Sequence, residues 1–143
     1  MKEKAVEYFK NGYSCSESVI KAASEEGLCP KDFLSIATAF SGGMSSGCAC
    51  GAMTAAQLIN GYHFGRENVC GNDVNARQNA KAIVDEFKSR NKVTCCRILS
   101  GGLEGPARKE FFLSRSGIPH CQKRTLLKIC VRCLRNYRTN VKG

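Results

Sequence analysis

Apolar residues recur at intervals of three and four along most of the chain, which is the spacing of one face of an α-helix. In the third such segment, Phe33, Ile36 and Phe40 follow one another at i, i+3 and i+7. The predicted helices cover residues 2–11, 14–27, 30–40, about 52–62, 73–90, a short turn over 95–99 and a last helix from 119. No alternating run of useful length indicates a β-strand. The sequence therefore predicts an all-α, single-domain bundle of six to seven helices with irregular loops, spanning residues 1–143.

Residues that favour helix ends separate these segments. Ser14 is a suitable cap for the second helix and Thr94 for the short turn, while Gly27 ends the second helix. Pro30 suits the first turn of the third helix. Residues 42–52, GGMSSGCACGA, are different because they combine glycines and other small residues with two cysteines. They predict an irregular approach to the fourth helix rather than part of the core.

Ten cysteines stand out in a chain of 143 residues. A chain of this length can bury a core without covalent cross-links. Its opening, MKEKAVEYFKNG, is typical of an amphipathic helix and not of a secretory signal, and no apolar run approaches the ~18 residues of a transmembrane helix. The cytoplasm is therefore the expected location. In that reducing compartment, so many cysteines indicate metal binding or redox chemistry rather than a disulfide scaffold.

Several cysteines lie where helices are predicted to begin. Cys15 follows Ser14, Cys50 precedes the fourth helix, the pair 95–96 opens the short turn, and Cys121 opens the last helix. Unpaired amides and the helix dipole at such positions favour thiolate over thiol, and the thiolate is both the redox nucleophile and the metal ligand. The plainer explanation is that small residues suit helix starts. The repeated placement favours a shared site that the fold assembles.

The sequence gives weaker indications of a function for the other cysteines. Cys130 and Cys133 form CVRC inside a predicted helix, where they are a small packing pair or, with ligands from elsewhere, a zinc site. Cys29 and Cys70 lie in predicted loops, and no specific role is predicted for either, although Cys70 could approach the site. His120 adjoins Cys121, so it is a candidate for lowering that thiol's pKa or for a further ligand.

The net charge of +10 is concentrated towards the end of the sequence. Residues 106–143 carry ten Lys and Arg against one acidic residue, Glu110, whereas the first 105 residues are nearly neutral. Such a segment suggests an anionic partner, or simply a solvated helix face. A nucleic-acid interface is disfavoured because Tyr137 is the only aromatic residue in 119–143 and no helix-turn-helix or zinc-finger pattern is present.

Four stretches resemble, in order, the motifs of a bacterial and archaeal family called C_GCAxxG_C_C, whose description names redox activity. They are GYSCSES (12–18), SGGMSSGCACGA (41–52), TCCRIL (94–99) and HC (120–121). Position by position, the resemblance implies that the family's four cysteines are Cys15, Cys50, Cys96 and Cys121. Cys48 lies in the same segment as Cys50 and is the alternative there, and Cys95 is an extra neighbour of Cys96. Relatives joined to split-Soret cytochromes are thought to hold an iron–sulfur centre.

These observations predict a redox or electron-transfer protein, either an oxidoreductase or an electron carrier, in which Cys15, Cys50, Cys96 and Cys121 meet at one site. In one mechanism the four thiolates bind an iron–sulfur cluster, most simply [2Fe–2S]. In the other, without metal, Cys15 and Cys50 are the catalytic pair that cycles between dithiol and disulfide, or Cys50 pairs with Cys96. Structural zinc is the non-catalytic alternative. Expected partners are an unidentified redox protein and an anionic molecule, but neither a membrane nor nucleic acid.

Overall fold

The computed structural model describes residues 2–103 and positions 107 and 110. In that part the chain forms six α-helices: α1 (Lys2–Lys10), α2 (Cys15–Glu25), α3 (Phe33–Thr38), α4 (Gly51–Phe64), α5 (Val74–Asn91) and α6 (Cys96–Leu99). None of the described residues lies in a β-strand, so the predicted all-α class is confirmed. The predicted last helix, with Cys121, Cys130, Cys133 and His120, lies outside the described residues. Over the described range, no helix combines the length and the apolar character needed to cross a bilayer.

Helices α2 and α4 form the centre of the fold. Helices α1 and α3 pack against α2, and α5 packs against α4. The facing helices carry fully buried alanines, among them Ala22 in α2 and Ala55 in α4. Larger side chains, chiefly Ile20, Ile59 and Phe87, fill the same buried cluster. Small and large residues together give the close packing typical of protein interiors, and they fix the first turns of α2 and α4 relative to each other.

Ser14 caps α2, as the sequence predicts. Its hydroxyl accepts a hydrogen bond from the Glu17 N–H at 3.4 Å, and the Glu17 carboxylate accepts one from the Ser14 N–H at 2.7 Å. This reciprocal pair is a capping box. It satisfies otherwise unpaired amides and sets the position of the next residue, Cys15.

Two predicted boundaries are wrong. The third helix does not start at Pro30 and run to Phe40, because residues 30–33 form a tighter turn in which the Phe33 N–H donates to the Pro30 carbonyl at 3.2 Å. Thr94 does not cap α6, because Cys95 occupies the N-cap position. The Thr94 carbonyl instead accepts a hydrogen bond from the backbone of the segment before α4.

The glycine-rich approach to α4 is a defined turn, Gly43–Gly47, which we call the glycine turn. Met44 and Ser45 both have a φ of 56°, a left-handed conformation that residues with a Cβ rarely adopt. Gly43 has a φ of 72° and lies directly against the following backbone. A Cβ there would be 2.6 Å from the Cys48 carbonyl oxygen and 2.8 Å from the Cys48 nitrogen. The absence of a side chain at position 43 therefore lets the turn fold back on residue 48.

Gly43→Ala is expected to destabilise the protein more than Gly27→Ala. Both glycines have nearly the same left-handed φ, 72° and 71°, so backbone strain of about 1–2 kcal/mol is common to both variants. Only the Gly43 methyl group meets backbone atoms, since nothing lies within 4 Å of a Cβ at Gly27. Overpacking should add about 1–3 kcal/mol to the loss for Gly43→Ala. Urea unfolding measures both values, and equal losses would show that the turn does not pack as described.

Candidate thiol site

Three of the four predicted site cysteines come together at the first turns of three helices. Cys15 is the first residue of α2, Cys50 is the N-cap of α4, and Cys96 is the first residue of α6. The Cys15 sulfur lies close enough to Cys50 and Cys96 for the charge of each thiolate to act on it. The fourth predicted residue, Cys121, lies outside the described residues. Cys50 and Cys96 are buried and Cys15 is half-buried, and we call the three together the buried trio.

Gly51 allows α2 and α4 to meet at this point. A Cβ on Gly51 would be 2.5 Å from the Cys15 sulfur and 2.7 Å from the Phe40 carbonyl oxygen. Those distances are shorter than any side chain tolerates, so only glycine fits here without a shift of its neighbours. In the sequence, Gly51 stands out only as part of a motif, and this packing role was not predicted. The sequence feature that could have indicated this role is a glycine immediately after a site cysteine at the start of a helix.

Two hydrogen bonds align the segment before α4 with the segment that enters α6. The Cys50 N–H donates to the Thr94 carbonyl at 2.8 Å, and the Arg97 guanidinium donates to the Ser46 carbonyl at 3.1 Å. Residues 46–50 therefore lie along residues 94–97. Because of this alignment, the cysteines of the CAC motif face those of the CC motif, although 45 or more residues separate them in the sequence.

Serine side chains join the first turn of α2 to the end of α3. The buried Ser16 hydroxyl donates to the Ala37 carbonyl at 2.8 Å, and the Ser41 hydroxyl donates to the Ser14 hydroxyl at 2.7 Å. These bonds fix the backbone on both sides of Cys15. Only Ser14 was predicted to have a role, although the alternation of serine and cysteine in YSCSES was the available signal.

The environment of Cys15 favours the neutral thiol. Burial of its sulfur, followed by the nearby charge of Cys50, raises the pKa of Cys15 from 9.0 to about 12. The backbone amides of Gly42 and Ser16 donate hydrogen bonds to the sulfur and act in the opposite direction. A helix terminus contributes about 0.3–1 kcal/mol to a nearby charge, which changes a pKa by less than about one. The predicted stabilisation of a thiolate is therefore wrong for Cys15, because burial and like charge outweigh the helix end.

A second pair of cysteines, Cys48 and Cys95, lies at the surface beside the buried trio. The Cys95 thiol donates to the carbonyl of Gly47, the residue before Cys48, at 3.2 Å. The backbone N–H groups of Ile98 and Arg97 donate to the Cys95 sulfur, and they lower the pKa of Cys95. A lowered pKa, predicted for cysteines at helix starts, is thus found at Cys95, the neighbour of Cys96.

The remaining described cysteines have other surroundings. Cys29 is buried, its thiol donates to the Ile20 carbonyl at 3.8 Å, and burial raises its pKa to about 11. Cys70 is exposed in the loop between α4 and α5. None of the seven described cysteines forms a disulfide. Cys29 and Cys70 therefore serve as a buried and an exposed reference for the site thiols.

The described residues contain no group of three or more His, Cys, Asp or Glu side chains arranged to hold one metal ion. The buried trio is instead a set of neighbouring sulfurs contributed by three helices. An all-sulfur donor set suits iron–sulfur clusters and zinc. A cluster distributes its protein ligands over more than one iron atom, so its ligands need not surround a single point. The described residues therefore supply the donor type that such groups use, but not a complete set of ligands.

Comparison with known proteins gives one match. The family model described as "Putative redox-active protein (C_GCAxxG_C_C)" matches residues 13–137, a range that includes the buried trio and the surface pair. No curated protein and no solved structure matches the chain.

Proposed function

The chain belongs to the C_GCAxxG_C_C family, and from this premise we propose that it transfers electrons through an iron–sulfur cluster bound by Cys15, Cys50 and Cys96. The observation that carries the proposal is the convergence of these three thiols from the first turns of α2, α4 and α6. Four protein ligands are usual for [2Fe–2S] and [4Fe–4S] clusters, and Cys121 is the proposed fourth. When bound, the cluster supplies reversible one-electron transfer at iron.

The electrostatics of the buried trio favour the binding of a positively charged metal. Burial and, after it, the nearby charge of Cys50 raise the pKa of Cys15, so this thiol is protonated in the metal-free protein. Binding to iron compensates the negative charge, so thiols that are protonated in the metal-free protein would be deprotonated by the metal. The Gly42 and Ser16 amides that donate to the Cys15 sulfur would further reduce the negative charge there. Hydrogen bonds to cluster sulfurs are one means by which proteins tune reduction potential.

Burial around the site also suits electron transfer. Cys50 and Cys96 are each 3% exposed, and Gly51 brings α2 close enough to close one side. Exclusion of water from sulfur and iron is a further factor that sets the potential of a cluster and protects it from hydrolysis. The small side chains around the site leave room for backbone amides to approach the sulfurs. Bulky side chains would block that approach.

A metal-free dithiol is the second candidate. After burial, the charge of Cys50 is the largest influence that raises the pKa of Cys15, which marks these two as an interacting pair of sulfurs. Oxidation to a Cys15–Cys50 disulfide would remove both thiols and deliver two electrons and two protons to an acceptor. This chemistry needs two members of the buried trio and no metal.

The proposed partners follow from the same chemistry. An electron carrier requires a redox protein that donates or accepts electrons. The basic segment 106–143 is the part of the sequence best suited to an anionic partner. A cytoplasmic location, which would keep the cysteines reduced, is part of the proposal.

A redox titration under anaerobic conditions separates the candidates. With a cluster, the prepared or iron- and sulfide-reconstituted protein has visible absorption that decreases on reduction and returns on reoxidation. A colourless protein that loses two thiols on mild oxidation and regains them on reduction supports the dithiol. A colourless protein with stoichiometric zinc and no response to oxidants or reductants would contradict both redox proposals.

A further inference from the structure

Cys48 and Cys95 form a second arrangement of sulfurs that the proposed cluster does not use. Cys48 is exposed and Cys95 is half-buried. The Cys95 sulfur lies 3.2 Å from the carbonyl oxygen of Gly47, the residue before Cys48, so the two cysteines are neighbours across the boundary between the glycine turn and α6. Their position differs from that of Cys50 and Cys96, which are almost completely buried.

Bonds that do not involve sulfur hold this pair together. The Cys50 N–H to Thr94 carbonyl bond lies on one side of it, and the Arg97 to Ser46 carbonyl bond lies on the other. Ala49, between the two cysteines of the CAC motif, has a left-handed φ of 57°. This turn of the backbone leaves Cys48 exposed while Cys50 enters the core. The surface pair is therefore formed by the same fold that assembles the buried trio.

We propose that Cys48 and Cys95 form a reversible surface disulfide that exchanges electrons with small thiol and disulfide molecules. The exposed Cys48 sulfur attacks one sulfur of the external disulfide, forming a mixed disulfide and releasing the first small thiol. The Cys95 sulfur then attacks the Cys48 sulfur, the mixed bond breaks and the second small thiol leaves. Two electrons pass from the protein to the external disulfide. The two thiol protons of the protein end on the two released thiols.

The order of attack follows from exposure. Cys48 is open to a ligand in solution, whereas Cys95 is partly covered and its thiol is engaged with the Gly47 carbonyl. The second step is intramolecular between neighbouring sulfurs, so it has a high effective concentration. The closed bond would join residue 48 to residue 95 and so fix the spacing of the segments that carry Cys50 and Cys96. The inference itself does not rest on the proposed cluster, because neither sulfur belongs to the buried trio.

The test uses the full chain, prepared anaerobically, in buffers of defined ratios of oxidised to reduced glutathione. After alkylation and digestion, mass spectrometry identifies each disulfide. The ratio of oxidised to reduced glutathione at which the Cys48–Cys95 bond forms should be at least about tenfold lower than the ratio at which the exposed Cys70 becomes glutathionylated. Reduced glutathione should reverse the bond. The inference is wrong if Cys48 is found only as the mixed disulfide with glutathione. It is also wrong if Cys48 forms disulfides with other cysteines as readily as with Cys95.

Two single variants test the order of the steps. Cys95→Ser removes the second sulfur, so glutathione should accumulate on Cys48. Cys48→Ser removes the first sulfur, so reaction at Cys95 should fall to the level of Cys70 or below. Cys70→Ser should change neither result. Unchanged reaction of Cys95 in Cys48→Ser would overturn the assigned order and with it the proposed exchange.

Iron and sulfide analysis of Cys48→Ser keeps this inference distinct from the cluster proposal. Since Cys48 is not a proposed ligand, the variant should keep the iron and sulfide of the wild type while losing the glutathione exchange. If the wild type holds no iron but still forms the Cys48–Cys95 bond, only the cluster proposal fails. If iron is present and the bond does not form, only the surface exchange fails.

Discussion

Replacing Gly51 by alanine is expected to disrupt the candidate site from within α4. The new methyl group would lie 2.5 Å from the Cys15 sulfur and 2.7 Å from the Phe40 carbonyl oxygen, so α2 and α4 would have to separate. The expected loss in the free energy of unfolding is about 1–3 kcal/mol. Because Cys15 would be displaced from Cys50, the anaerobic protein should also lose its reversible redox response. Urea unfolding and the redox titration measure the two effects.

Gly61→Ala is the matched control for this variant. Gly61 lies in the same helix, and nothing lies within 4 Å of a Cβ at that position. Alanine there should therefore raise the free energy of unfolding by about 0.5–1 kcal/mol and leave the redox response unchanged. If Gly51→Ala behaves like Gly61→Ala in both measurements, then the contact between Gly51 and Cys15 does not organise the site.

Cys50→Ser is expected to lower the amplitude of the redox response at least about tenfold, since loss of even an outer-shell partner commonly costs about 10–100-fold in metal affinity or activity. Cys50 lies beside Cys15 at the N-cap of α4 and takes part in both proposed mechanisms, so the result holds for a cluster and for a dithiol. The measurement is the anaerobic redox titration, combined with a count of reactive thiols before and after oxidation.

Cys29→Ser controls for the loss of a buried thiol. Cys29 is 7% exposed, and its thiol donates to the Ile20 carbonyl, a bond that a serine hydroxyl can also make. The variant should keep the full redox response, because Cys29 is a core residue and not part of the buried trio. Equal loss of the response in Cys29→Ser and Cys50→Ser would mean that general destabilisation, and not the loss of a site sulfur, explains the result.

The helices were largely predictable from local sequence. The spacing of apolar residues located α1, α2, α4 and α5 to within a few residues, and Ser14 was correctly identified as a cap. Local signals failed where a residue makes a distant contact instead of a local one. Thr94 is a residue type that commonly caps helices, but its carbonyl accepts a hydrogen bond from the Cys50 N–H. Cys95 is therefore the N-cap residue of α6.

The positions of Cys15, Cys50 and Cys96 at helix starts were predictable, but the electrostatics there were not. The placement of cysteines at helix starts indicated Cys15, Cys50 and Cys96, because that property depends on a few neighbouring residues. The direction of the Cys15 pKa change was not predictable, since it depends on burial and on a thiol 35 residues away in the sequence. The proximity of Cys48 and Cys95 was not predicted for the same reason, because it depends on the alignment of residues 46–50 with residues 94–97.

If Cys15, Cys50 and Cys96 bind an iron–sulfur cluster, iron and acid-labile sulfide analysis of anaerobically prepared protein will detect it. The wild type should contain iron and sulfide in equal amounts, and Cys15→Ser, Cys50→Ser and Cys96→Ser should each lose most of both, whereas Cys70→Ser should keep them. Wild-type protein without iron and sulfide after reconstitution, or site variants that bind as much of both as the wild type, would contradict a cluster at these three thiols.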